Sequence, residues 1–333
     1  MRKSRLPRDS AGSLEFQAGT GCITAMCACD AFLEVFKEDV TFRVRTPESI
    51  DPDRTNPNAP FVAAVTDSVG STSPAVARVL LQGRDILEVA IFGRGLDKPS
   101  VVHALHDAKE ALVVCEKVAK RVATQVDAII QEIDTSGIPR DSHGHAFNPV
   151  PQVSDLDSEA TSFLIHAKRA IQSICRLPSL FLQVPPKDSN FDALAKRLSK
   201  SIGADAHVTR FVVAKASGIR YLIDLRNNQE HPGAKRTVIQ NFAVLPDGAI
   251  SVPTWNVSGE TPQPIREDMQ AAAEFLVQVA EALLVHLVMH TVDRRVPYII
   301  QKLDATQVNP KMPIEYRISI DISRLQTNAQ ASN

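Results

Sequence analysis

The chain has 333 residues, a formal net charge of -1, and 44% hydrophobic against 23% charged residues. That length can bury a full core as one large domain or two, and the composition excludes wholesale disorder. Near-neutral charge excludes a global electrostatic pull toward nucleic acid or membrane, so any such contact must come from a local patch.

Residues 1–13 read as a disordered leader; the basic start, Met1-Arg2-Lys3-Ser4-Arg5, is not followed by the apolar core of a signal peptide. From Leu14 to Glu38 the spacing of Ile23, Met26, Cys27, Leu33 and Phe36 predicts a helix rich in small residues. Thr41 to Arg45 alternates as a short strand does, and the proline-rich stretch Thr46 to Pro60 is loop. A helix is expected from Pro74 to Phe92. The clearest periodic signal runs from Val101 to Ile133, where Val102, Leu105, Ala108, Leu112, Cys115, Val118, Val122, Val126, Ile129 and Ile133 step by threes and fours. Residues 14–135 therefore form a helical N-terminal region, whose role the sequence leaves open; a surface for a protein partner is one reading.

Residues 136–153, with Gly137, Pro139, Gly144, Pro149 and Pro151, form a linker. Ser154-x-x-Asp157 resembles a capping box that opens a helix to about Leu177. Further helices are expected at Phe191 to Ile202 and Ala206 to Leu225. A two-stranded hairpin follows over 237–257, turning at Asp247-Gly248. The last long helix runs from Ile265 to Val292; Gln278, Glu281, His286 and His290 make it a poor membrane span and a better buried helix. Residues 293–333 are an extension with one strand, Glu315 to Ile322, and a polar tail. The expected class is mainly α: a helical bundle over 154–292 with an inserted β-hairpin, plus the helical N-terminal region, in a cytoplasmic protein.

One stretch is chemically loaded: Arg226-Asn227-Asn228-Gln229-Glu230-His231-Pro232. Val212, Ile219 and Arg226 are seven apart and Leu222 is four before Arg226, so the guanidinium continues the buried stripe of its helix. A guanidinium aimed inward needs an anionic or multi-acceptor partner. His231 would diverge from Arg226 by about 140° on an unbroken helix. Pro232 disfavours helical geometry at His231, and a bend there would let imidazole and guanidinium converge. Together they supply acid–base chemistry and charge stabilisation for a phosphodiester without a metal. The same residues also make an ordinary helix stop, with a cation at the negative end and asparagines for left-handed geometry.

Leu225 to Pro232 resembles the R-x4–6-H motif of HEPN domains, in the form Arg-Asn-x-x-x-His, and the resemblance covers about Ser154 to Val292. It implies a homodimer with two motifs across one cleft and metal-independent cleavage of RNA. Arg226 and His231 would then act at the scissile phosphate and Asn227 would support them. It also implies a defence or toxin–antitoxin context; other members bind nucleotides or have lost activity. Pro232-Gly233 and the hairpin before the next helix depart from the usual pattern. No cofactor is expected. Cations exceed anions from Lys187 to Arg236, and Lys196, Arg197, Lys200, Lys235 and Arg236 are the RNA-contact candidates. The alternative is a non-catalytic helical interaction or nucleotide-binding protein in which the run is structural.

The remaining constellations read as bland. Cys22, Cys27 and Cys29 lack the paired spacing of zinc sites and fall in the expected helix, which makes them buried thiols and leaves no metal site. Five cysteines, an odd number, do not suit a disulfide framework. Asp141, His143 and His145 sit in the linker, His286 and His290 are core histidines, and His103 and His106 lie on a polar flank.

Overall fold

The computed structural model describes residues 6–9, 13–29, 32–138, 143, 149–184 and 190–321. The secondary structure is 51% helix and 16% strand, which overturns the expectation of a helical bundle with a helical N-terminal region. The N-terminal part is built on a four-stranded antiparallel sheet, β1 (Ala25–Cys29), β2 (Phe32–Phe36), β3 (Thr41–Arg45) and β4 (Val62–Asp67), in sequential order. Only β3 stands where the sequence put a strand. Helix α1 (Pro47–Ile50) lies in the proline-rich loop, capped where the Thr46 hydroxyl accepts from the Ser49 amide.

A π-helical stretch, Ala75–Leu81, and α2 (Gln82–Val89) occupy the expected Pro74–Phe92 helix. Then come α3 (Lys98–Ser136), α4 (Leu156–Leu182), α5 (Phe191–Ile202) and α6 (His207–Glu230). Five short strands follow: β5 (Thr237–Gln240), β6 (Ala243–Val244), β7 (Ile250–Ser251), β8 (Thr254–Val257) and β9 (Gln263–Pro264). Strands β6 and β7 form the hairpin expected at Asp247-Gly248, and β5-β8-β9 make a second, three-stranded sheet. Helix α7 (Ile265–Thr291) is long and apolar enough to cross a membrane by length and composition, but 61% of that window is buried inside the protein. Finally β10 (Tyr298–Lys302) pairs with β11 (Tyr316–Ile320); the second was expected and the first was not.

The chain divides into two compact units. The first comprises residues 1–109, 180–183 and 284–333, and the second comprises 110–179 and 184–283. In the first unit the sheet has two unlike faces. Val35, Phe42 and Val44 bury one face with Phe16 and Leu33 packed against it, an ordinary hydrophobic face. The strand period of two sends Cys27, Cys29, Glu34, Phe36 and Arg43 to the other, because Cys27 is the cross-strand partner of Glu34 and Glu34 that of Arg43. There Glu34 is fully buried, and Lys109 of α3 reaches both its oxygens at 2.9 and 3.1 Å. His106 Nε2 lies 3.0 Å and an Arg43 nitrogen 3.4 Å from Oε1. Burial disfavours the charged carboxyl, yet the His106 and Lys109 interactions outweigh it and hold the group at about 2. His106 is thus buried, 7% exposed, where the sequence reading had it on a surface flank.

Close backbone approach fixes the β2–β3 turn. Gly70 packs so tightly that an added Cβ would stand 2.1 Å from the Lys37 carbonyl oxygen. The Ser71 amide then donates to that same carbonyl at 2.8 Å. The β10–β11 hairpin is held by Gln82, whose Oε1 accepts from the Glu315 and Tyr316 amides at 2.6 and 2.7 Å.

The second unit buries Phe163, Leu164, Ile171, Leu225, Trp255 and Leu276. Phe163 meets Trp255 edge-on, 5.9 Å between centroids. One carboxylate ties three elements: Asp268 Oδ2, in the first turn of α7, accepts from Trp255 Nε1 of β8 at 2.6 Å and from the Tyr221 hydroxyl of α6 at 2.5 Å. Burial, and then the Asp268 hydrogen bond and charge, push the Tyr221 phenol above its ordinary range.

Candidate functional site

Helix α6 carries the loaded run, and its apolar stripe behaves as the periodicity predicts: Val212, Ile219, Leu222 and Leu225 are all buried. Arg226 continues that stripe with its side chain only 20% exposed. Its nearest anion is Glu230, one turn on, and an Nη donates to Asn227 Oδ1 at 3.2 Å. The Arg226 Nε is buried without a hydrogen-bond partner.

The helix runs on to Glu230 and leaves helical geometry at His231, the stop that Pro232 implies. The His231 amide closes the last turn on the Asn227 carbonyl at 2.9 Å. His231 is left 77% exposed, its Nε2 at 4.0 Å from a Glu230 oxygen. Within one chain both groups flank the same Glu230 oxygen, the guanidinium in contact with it and the imidazole Nε2 at 4.0 Å.

What converges on Arg226 is a residue from α4 that no local motif flags. Lys168 Nζ donates to the same Asn227 oxygen at 3.3 Å, so two cations share one neutral acceptor. Partial burial and then the neighbouring Arg226 charge lower the Lys168 pKa, partly countered by Glu230. Seven residues before Lys168 on α4, the Thr161 hydroxyl accepts from Gln229 Nε2 at 2.6 Å and pins the end of α6 to α4. Thr161 also lines an open groove on α4 with Ser158, Ser162, His166 and Arg169. In it His166 Nδ1 contacts the Ser162 carbonyl oxygen at 2.8 Å and Nε2 lies 3.4 Å from an Arg169 nitrogen. The cations Arg226, Lys168 and Arg169 stand here beside hydroxyls and the two carboxylates of Glu230 and Asp157, and the guanidinium groups suit an oxyanion ligand.

The weaker basic candidates are not gathered to this spot. Helix α5 packs against α6 with Asp192 meeting Arg220 and Gly203 meeting Thr209. That orientation sets Lys200 near the far end of α6, about 25 Å from Arg226 by helical rise, with Lys196 and Arg197 in between. Lys235 pairs with Glu260 at 3.5 Å, and the Arg236 amide donates to the Ser258 hydroxyl at 3.1 Å. Of the linker trio Asp141, His143 and His145, the first and last lie outside the described residues, as do half of the linker, most of the leader and the polar tail. His290 is exposed and His286 half-buried.

No known family model, no curated protein and no solved structure matches this chain.

Proposed function

We propose that the α4–α6 face binds phosphate groups of RNA and that the protein acts on RNA there, as the HEPN-type motif implies. One observation carries the reading: Arg226 and Lys168 crowd a single uncharged oxygen of Asn227, with one guanidinium nitrogen unpartnered. Two cations held this close repel, and an incoming phosphate relieves that repulsion while offering the bidentate partner a guanidinium favours. Arg226 and Lys168 hold the phosphate and Asn227 orients it. Cleavage needs an acid or base at the scissile bond, and His231, which faces the same Glu230 oxygen as Arg226, is the candidate. A homodimer would let His231 of one copy approach the phosphate held by the other.

The test uses purified wild type, Arg226→Ala, Lys168→Ala and His231→Ala with mixed RNA in EDTA, reading binding by anisotropy and cleavage by gel. The expected result is RNA binding weakened about tenfold or more in the Arg226 and Lys168 variants, given about 1.5–3 kcal/mol for a hydrogen bond to a charged group. The slope of log affinity against log salt should fall by about one per contact removed. His231→Ala should bind as wild type does and lose cleavage. A second reading is favoured by the His231–Asn227 backbone bond and the Arg226–Glu230 pair, which together make a competent helix terminus. Arg226→Ala that binds RNA as tightly as wild type would decide for that reading.

A further inference from the structure

The first unit holds a second constellation that the RNA reading does not use. Cys27 and Cys29 sit two apart on β1, so the strand period places both thiols on one face, Sγ to Sγ 3.9 Å. Glu34, directly opposite Cys27 on β2, and His106, from α3, come together beside Cys29, and Cys27 Sγ adjoins this group through Cys29 Sγ. The ligand atoms of Cys29, Glu34 and His106 all lie within 4.8 Å of one another, and all three residues are buried.

We propose that Cys27, Cys29, Glu34 and His106 form a zinc site. The donor set is two thiolates, one imidazole and one carboxylate, which is the borderline-soft, four-ligand set zinc prefers. Zinc–sulfur bonds of about 2.3 Å set two sulfurs of a tetrahedral site about 3.8 Å apart. The observed 3.9 Å matches that edge. The paired C-x2-C spacing absent from the sequence is the spacing of a tight turn; on a strand, C-x-C does the same work.

Lys109, which grips both Glu34 oxygens, looks at first like a competitor. Charge accounting makes it a partner. Zinc with two thiolates and one carboxylate carries a net charge of minus one, and one ammonium beside the carboxylate neutralises it. Binding releases the two thiol protons as the dication enters, so the buried charge is the same before and after. The outer shell is also in place. Arg43 contacts Glu34, and the Phe32 ring stands edge-on to His106 at 5.6 Å, fixing the imidazole plane. Access comes through a pocket of about 330 Å³ that reaches Cys29 between Arg84, Lys98 and His103.

The test is metal content and cobalt spectroscopy on the full chain, reduced and dialysed, then given Zn²⁺ or Co²⁺ alone. Wild type should retain one equivalent of zinc. Cys22→Ser, which alters an exposed thiol, should retain it too, while Cys29→Ser and His106→Ala lose it. Because those variants can fail to fold, the wild-type cobalt spectrum provides the independent reading. Thiolate-to-cobalt charge transfer with tetrahedral d–d bands supports the site. Substoichiometric zinc in wild type, a cobalt spectrum without thiolate bands, or zinc kept by a Cys27→Ser/Cys29→Ser double variant overturns it. These residues belong to the first unit and Arg226 and Lys168 to the second, so either reading can fail without the other.

Discussion

Replacing Asp268 by alanine should destabilise the second unit by about 3 kcal/mol. The carboxylate accepts from Trp255 Nε1 at 2.6 Å and from the Tyr221 hydroxyl at 2.5 Å. Trp255 is fully buried, so its N–H cannot turn to water when the acceptor goes. A hydrogen bond to a charged group is worth about 1.5–3 kcal/mol, and an orphaned buried donor costs a similar amount. Tyr221 is only half-buried, so its hydroxyl recovers much of its loss from solvent. Asp268 also stands in the first turn of α7, where a negative charge contributes about 0.3–1 kcal/mol. Asp268→Asn keeps an acceptor and should cost about 1 kcal/mol. The assay is direct, since Trp255 is the only tryptophan in the chain and its emission reports this node alone. Urea unfolding followed by fluorescence should show the midpoint falling in the order wild type, Asn, Ala, with the native emission red-shifted in the alanine variant. If Asp268→Ala unfolds within about 0.5 kcal/mol of wild type, the node is not holding α6, α7 and β8 together.

The same node sets an alkaline limit. The Tyr221 phenol is raised in the folded state, so folded protein keeps its proton to higher pH than unfolded protein does. Its contribution is full below about pH 10 and declines above it, at up to about 1.4 kcal/mol per pH unit, less because half the ring meets solvent. Stability against pH for wild type and Tyr221→Phe should therefore converge above pH 10; parallel curves would contradict this. Gly70→Ala should cost about 3 kcal/mol, because the added methyl meets backbone that cannot move aside. Gly95→Ala, with nothing within 4 Å, is the control, and equal melting temperatures for the two variants would refute the packing argument.

Much of the helical part was legible, and the reasons for the misses are specific. Helix α5 matches its expected bounds because Asn190 caps it, its Oδ1 accepting from the Ala193 amide, and Gly203 ends it at φ 94°. The β1–β2 hairpin was misread as helix because its inward face carries Glu34 and two cysteines. A buried carboxylate disguises the alternation that marks a strand. Strand β4 is invisible for another reason: Val62 to Thr66 are all exposed, so no burial pattern exists to find. At the site, the inward phase of Arg226 followed from helical spacing. Lys168 did not, since it lies 59 residues away and meets Asn227 only through the packing of α4 on α6. The helix overran its expected end at Leu225 because Arg226 and Glu230 form an i,i+4 pair that favours one more turn.

The buried Glu34 has a consequence for the order in which the first unit assembles. Strands β1 to β3 are neighbours in sequence and pair by short loop closures, whereas Lys109 stands 75 residues beyond Glu34. Until α3 arrives, closing the sheet's inner face would strand a carboxylate in an apolar setting. The meander must therefore stay hydrated on that side while its hydrogen-bond ladder forms. Drying of the interior and docking of α3 then become one event on the folding pathway, late and cooperative. Kinetically, Lys109→Met should speed unfolding more than it slows refolding, and a variant slowed mainly in refolding would place the ion pair in the nucleus instead.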